Sequence, residues 1–111
     1  MEFSIYQQDL SRVPRGFAFG DYKYLSKTSY IQPKYYKLVW LDELSEENKP
    51  IQYFLSDLWV RFNLDHPKNY YGRSMSVSDI IRIYNPENQC HEYYFVDAFG
   101  FKKLDSWKEE N

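Results

Sequence analysis

This 111-residue chain has one cysteine, Cys90, so no internal disulfide can form and nothing points to an oxidising compartment. Its apolar runs are only a few residues long, Leu38-Val39-Trp40 being typical. A membrane span requires roughly 20 apolar residues in a row. The first residues, MEFSIYQQD, carry neither the basic start nor the apolar stretch of a signal peptide. The four glycines and five prolines are scattered, with no repeat or low-complexity tract, and no glycine opens a G-x-x-x-x-G-K phosphate loop. The expectation is a single cytoplasmic domain spanning residues 1–111, with no membrane segment.

Catalytic and metal-binding constellations are equally sparse. Zinc needs several closely spaced Cys or His ligands, and the chain offers only His66, Cys90 and His91. Cys90 and His91 read as a loop thiol beside a solvated imidazole. A nucleophilic Cys–His pair would need His66 to meet Cys90 with a third, orienting group, and no spacing supports that. Asp65-His66-Pro67 reads as a helix stop, because the residue before proline is pushed away from helical angles. The expectation is a non-enzyme with no cofactor and no metal.

What the chain has in excess is aromatic rings: twelve Tyr, eight Phe and three Trp, or 21 % of the residues. That excludes a disordered tail. It is also more than one small core is expected to hide. Charge is uneven. Residues 1–40 hold six Lys/Arg against three Asp/Glu, residues 41–65 two against six, and residues 66–111 six against seven. A net charge of −2 argues against a generic nucleic-acid binder, although the first third is locally basic.

The segments punctuate well. Phe3 to Gln7 alternates as a first strand, and Tyr35 to Leu41 is β-branched and aromatic between Pro33 and an acidic loop, Asp42 to Asn48. Ile51, Phe54, Leu55, Leu58, Trp59 and Phe62 form one apolar stripe at helical spacing, predicting a helix from Pro50 to Asn63. Pro50 suits its first turn. Ile80 to Tyr84 and Glu92 to Val96, joined by the polar turn Asn85 to Gln89, read as an antiparallel hairpin. Gly100, Phe101 and Leu104 give a last short piece, and residues 105–111 read as a frayed tail. The pattern is α+β: a small antiparallel sheet with one principal amphipathic helix packed on it.

Two readings concern partners. Tyr22, Lys23, Tyr24 and Lys27, then Tyr30, then Lys34, Tyr35, Tyr36 and Lys37, interleave rings with cations, as single-stranded nucleic-acid binders do. The Tyr doublets 35–36, 70–71 and 93–94 add a geometric point. In a strand covered on one side, one ring of each faces outward. An exposed aromatic face is expected, of the residue type favoured at partner hot spots, with Leu38, Trp40 and Phe95 in the core. The alternative is that the N-terminal segment covers that face.

Residues 60–104 carry a recognisable pattern: Phe62, Asn63, Asp65, His66 and Pro67, then Gly72, Arg73, Ser74, Ser76, Val77, Ser78 and Asp79, then Tyr93, Tyr94, Val96, Asp97, Gly100 and Phe101. This resembles the YodL-like domain of low-GC Gram-positive bacteria and their conjugative elements. That family reads approximately FN-x-DHP, G-[HR]-S-x-SVSD and YYVD-x-x-GF. The chain departs from it in the extra Phe95 and a longer hairpin turn, and the first 45 residues match less clearly. Asn63, Asp65, His66, Arg73, Ser76, Ser78, Asp79, Asp97 and Gly100 read as scaffold. Ser76, Ser78 and Asp79 would hydrogen-bond backbone before Ile80, and Arg73, Asp65 and Asp97 would join in a polar network.

The resemblance implies a small domain of mobile elements with no established catalysis. The expected function is a non-enzymatic inhibitor that binds and blocks a host or defence protein, including a CRISPR effector (an anti-CRISPR role). Interference with actin-like cytoskeletal proteins, associated with the family's namesake, is the second reading, and RNA or single-stranded DNA binding the third. The expected partner is thus a protein, with nucleic acid secondary and no membrane.

Overall fold

In the computed structural model, residues 1–44, 50–85 and 89–107 are described. Most of the acidic loop, the middle of the hairpin turn and residues 108–111 lie outside them. Among the described residues five strands form one antiparallel sheet: β1 (Glu2–Gln8), β2 (Tyr36–Glu43), β3 (Ile80–Asn85), β4 (Cys90–Val96) and β5 (Phe101–Leu104), in the order β2-β1-β3-β4-β5. A one-turn helix, α1 (Tyr22–Leu25), precedes β2, and the principal helix, α2 (Ile51–Leu64), lies between β2 and β3. This is the expected α+β architecture.

The stripe on α2 seats the sheet. Phe54, Leu55, Leu58 and Phe62 are fully buried against Phe3, Ile5, Ile81, Ile83, Tyr94 and Val96. Phe3 meets Phe54 and Phe62 edge-on at 5.9 and 6.1 Å, the favoured geometry for ring pairs. Trp59 sits at the margin of the stripe and is exposed. Pro50 is the N-cap, in an extended conformation, rather than a residue of the first turn. No helix among the described residues is long and apolar enough to cross a membrane.

The opposite face of the sheet is covered as well. Every residue from Phe3 to Gln8 is buried, on both faces of β1. Tyr6, Ile80 and Phe95 pack with Leu25, Tyr36 and Trp107, flanked by Phe17, Tyr22, Ile31 and Tyr35. The cover is the N-terminal segment between β1 and β2, held to the sheet by Tyr22 N–H donating to Asp97 Oδ1 at 3.1 Å.

That cover corrects the expected exposed tyrosine face. Under it Tyr36 is buried and Tyr93 is half-buried against Trp107, with ring centroids 5.2 Å apart, while Tyr94 is the core ring of its doublet, on the side that faces α2. Tyr70 and Tyr71 stand in a loop, where strand alternation does not apply: Tyr70 is buried against Trp40 and Phe62, and Tyr71 is 94 % exposed. Leu38, expected in the core, is 51 % exposed at the sheet edge. The tail reading fails at Trp107, which is buried and touches the rings of Tyr6, Tyr36 and Tyr93.

Candidate interaction surface

The covering segment carries the basic and aromatic residues singled out from the sequence. Asp21 caps α1, its Oδ1 accepting the Tyr24 N–H at 2.9 Å. Pro33 starts a short 3-10 turn over Pro33–Tyr35 that feeds β2. Between these points Tyr24 stacks on Phe17 at 5.6 Å, Phe17 meets Tyr30 at 4.9 Å, and Tyr30 meets Tyr35 edge-on at 4.9 Å. Lys34 Nζ stands 5.2 Å from the Tyr35 ring centre. The result is a continuous ladder of four rings, half-buried or exposed, ending in a cation.

The covering segment also carries the exposed cations Arg12, Arg15, Lys23, Lys27 and Lys34, whereas Lys37, also exposed, lies on β2 opposite Gln7, on the side of the sheet that faces α2. Arg12 pairs with Asp9 at 3.6 Å and donates to the Lys34 carbonyl at 2.9 Å. Asp9 is held ionised, its pKa lowered chiefly by the Ser11 hydroxyl and N–H. Two of the residues named from the sequence stand apart from the ladder. Tyr22 packs edge-on against Phe95 at 5.7 Å, with Lys102 Nζ 5.5 Å from its ring centre. Tyr36 is core, and its hydroxyl donates to the Ser78 carbonyl at 2.7 Å. Burial, with the Asp79 charge adding to it, pushes the Tyr36 hydroxyl far up from its ordinary pKa.

The motif residues before β3 form a separate, buried polar node. Asp79 Oδ2 accepts Gln7 Nε2 at 3.0 Å and the Ser76 N–H at 2.9 Å. Gln7 Oε1 accepts the Arg73 N–H at 2.9 Å, and Arg73 Nη2 donates to the Gln8 carbonyl at 3.1 Å. Tyr70 donates its hydroxyl to the Arg73 carbonyl at 2.6 Å. Burial pushes the Asp79 carboxyl up to about 7, against the opposing pull of the Gln7 and Ser76 bonds and the Arg73 charge. Tyr70 is pushed up to about 12 by burial and by the Asp79 charge.

The remaining motif residues are placed elsewhere, and the expected network of Arg73 with Asp65 and Asp97 is not formed. Asp65 is exposed at the C-cap of α2, Asn63 donates to the Trp59 carbonyl at 2.8 Å, and His66 is exposed beside the Pro67 carbonyl. Asp97 Oδ1 accepts the N–H groups of Tyr22 and Ala98, while its own N–H bonds to the Gly100 carbonyl at 3.0 Å. Gly100 has φ +76°, a conformation that favours glycine in this turn. Among the described residues there is no group of three or more His, Cys, Asp or Glu placed to hold a metal ion.

The family model for the YodL-like domain matches residues 2–107. The chain belongs to the YodL-like domain family. No curated protein and no solved structure matches it significantly. In this YodL-like domain the match takes in β1, the ring-bearing cover and Trp107, well beyond the stretch from Val60 to Leu104 in which the resemblance was legible.

Three residues central to this YodL-like domain escaped sequence reasoning. Phe17 joins both halves of the ring ladder but belongs to no periodic segment of the sequence. Gln7 ends the alternation of β1 with nothing in its surroundings to mark it, although it holds the polar node. Trp107 lies in a charged tail, and its size and apolarity were the available signal. A further surface feature is apolar: a groove of about 540 Å3 between α2 and the β4–β5 turn, lined by Trp59, Val60, Val77, Phe99 and Phe101.

Proposed function

We infer that this YodL-like domain is a non-enzymatic binding module that engages an acidic surface of a partner protein through its ring-and-lysine cover. The observation that carries this reading is the ladder Tyr24-Phe17-Tyr30-Tyr35, with Lys34 beside its last ring, in a covering segment that also exposes Arg12, Arg15, Lys23 and Lys27. Cations of one sign steer an acidic partner, and amphipathic rings supply contact area at low entropic cost. A protein fits better than stacked bases, because the ladder rings pack on one another and leave few free faces for stacking. The setting suggested by the family resemblance is a mobile element whose module blocks a host or defence protein, a CRISPR effector among them.

The test is binding by the purified chain to a candidate host or effector protein, with Lys23→Glu plus Lys27→Glu as the surface variant. Both lysines are exposed, so the fold and its melting temperature are retained. Loss of partner binding in this variant supports the reading. Binding that is unchanged, or tight single-stranded RNA binding with steep salt dependence, overturns it.

A further inference from the structure

The outermost strand on one side of the sheet, β2, is bonded to β1 and, among the described residues, to no strand on its other side. Natural edge strands are normally blunted by charge, by a bulge or by a cover, and β2 carries Lys37, Asp42, Glu43 and a bulge but no cover on its free side among the described residues. It also exposes Leu38 and Leu41, at 51 and 56 %. Tyr71 stands beside the same edge and lines a shallow groove with Leu38, Val39, Trp40 and Leu41.

A bulge decides which residues share a face. Ile5 lies opposite Trp40, while Tyr6 lies opposite Leu38, so Val39 is an extra residue in β2. Opposed residues share a face of the sheet. Lys37 lies opposite Gln7 and Asp42 opposite Phe3, on the side of β1 that faces α2. Leu38 lies opposite Tyr6 and Leu41 opposite Ser4, on the other side. Without the bulge, strand alternation would put Lys37 and Asp42 on opposite faces.

We propose that β2 pairs, antiparallel, with β2 of a second copy of this chain, with Lys37 opposite Asp42 and Leu38 opposite Leu41. The two-fold axis stands normal to the sheet between Val39 and Trp40. Such an axis keeps every residue on its own face, so only residues of like face can be opposed. The register satisfies this throughout: Tyr36 meets Glu43, Lys37 meets Asp42, Leu38 meets Leu41, and Val39 meets Trp40. A shift of one residue either way opposes residues from different faces. By symmetry each pair occurs twice, giving Lys–Asp pairs on one side, leucine pairs on the other, and two sheets joined as one. The second copy is the occupant because the edge is complementary in charge to itself.

Sedimentation of the full chain over a range of concentrations tests this. The expected result is a dimer that Lys37→Glu and Asp42→Lys each weaken by about tenfold or more, each variant opposing like charges across the axis twice. The double variant restores the dimer, since exchanging the two charges brings opposite signs face to face again. A chain that stays monomeric at every concentration overturns the proposal. So does a dimer indifferent to the single reversals or not restored by the double one. Asp42 also accepts Trp40 Nε1 at 3.3 Å. If Asp42→Lys fails to fold, Leu41→Lys and Lys37→Glu decide, and a dimer intact in both overturns the proposal.

Discussion

Gln7 and Asp79 meet across 72 residues of chain, the Gln7 amide nitrogen donating to Asp79 Oδ2 at 3.0 Å inside the protein. Gln7 also donates to the Arg73 carbonyl and accepts the Arg73 N–H, so one side chain holds both ends of the loop before β3. Each bond in this node satisfies a group that would otherwise retain its desolvation cost, although Asp79 Oδ1 and Arg73 Nε are left without a partner. The node therefore gives the YodL-like motif a structural role that can be measured directly.

Asp79→Ala removes the acceptor for both Gln7 Nε2 and the Ser76 N–H. Gln7 Nε2 keeps its bond to the Arg73 carbonyl, and the variant also removes the unpartnered Asp79 Oδ1, so of the roughly 1–3 kcal/mol per orphaned donor a net loss of about 1–3 kcal/mol is expected. The unfolding midpoint in urea checks it, and an unchanged midpoint would refute the assignment.

The Asp79 carboxyl also predicts a pH dependence. Its folded pKa, about 7, lies above its ordinary value of 3.8. The folded state therefore holds the proton more tightly. The stability this group contributes is fully present below pH 3.8 and lost as pH rises through about 7. Urea midpoints of the wild type minus those of Asp79→Asn, measured between about pH 4 and 8, should fall over that window and then level off.

Within the doublet Tyr35-Tyr36 the two rings differ in role. Tyr36→Phe removes a buried hydroxyl that donates to the Ser78 carbonyl, and a loss of about 1–2 kcal/mol is expected. Tyr35→Phe, in the half-buried ladder, should leave the unfolding midpoint in place. Equal effects in the two variants would contradict the assignment of Tyr36 to the core.

Ser78 is buried with φ +84°, and its Oγ has no hydrogen-bond partner. Ser78→Gly should relieve backbone strain and remove an orphaned hydroxyl, raising stability by about 1 kcal/mol. A lower melting temperature in this variant would show that the side chain has a role in the fold.

Trp107→Ala should cost about 3–5 kcal/mol, the range for deleting a buried Trp. Its ring closes the second core against Tyr6, Tyr36 and Tyr93. Denaturation followed by far-UV circular dichroism measures this, and a cost below about 1 kcal/mol would restore the reading of residues 105–111 as a tail.

Elements whose evidence is local can be read directly from the residues. The stripe from Ile51 to Phe62 specifies α2, because helical period and burial coincide within a few turns. The hairpin of β3 and β4 follows from two β-rich runs close in the chain, and β1 from its alternation. The short pattern around Arg73 to Asp79 announces local backbone bonds, which Ser76 and Asp79 make, but Ser78, expected to do the same, leaves its Oγ without a partner. The pattern's buried partner, Gln7, was not legible, since nothing near Gln7 in the chain announces a contact 72 residues away.

What covers the second face of the sheet follows from long-range packing and from no local pattern. Period two assigns alternate residues to two faces but does not say whether the outward one meets water or another layer. The segment from Asp9 to Tyr35 and the ring of Trp107 supply that layer, turning expected surface tyrosines into core. The bulge at Val39 is likewise a property of pairing with β1, and it alone puts Lys37 and Asp42 on one face. Local patterns fix which segments can be buried; long-range packing fixes which partner buries them and what is left at the surface to bind.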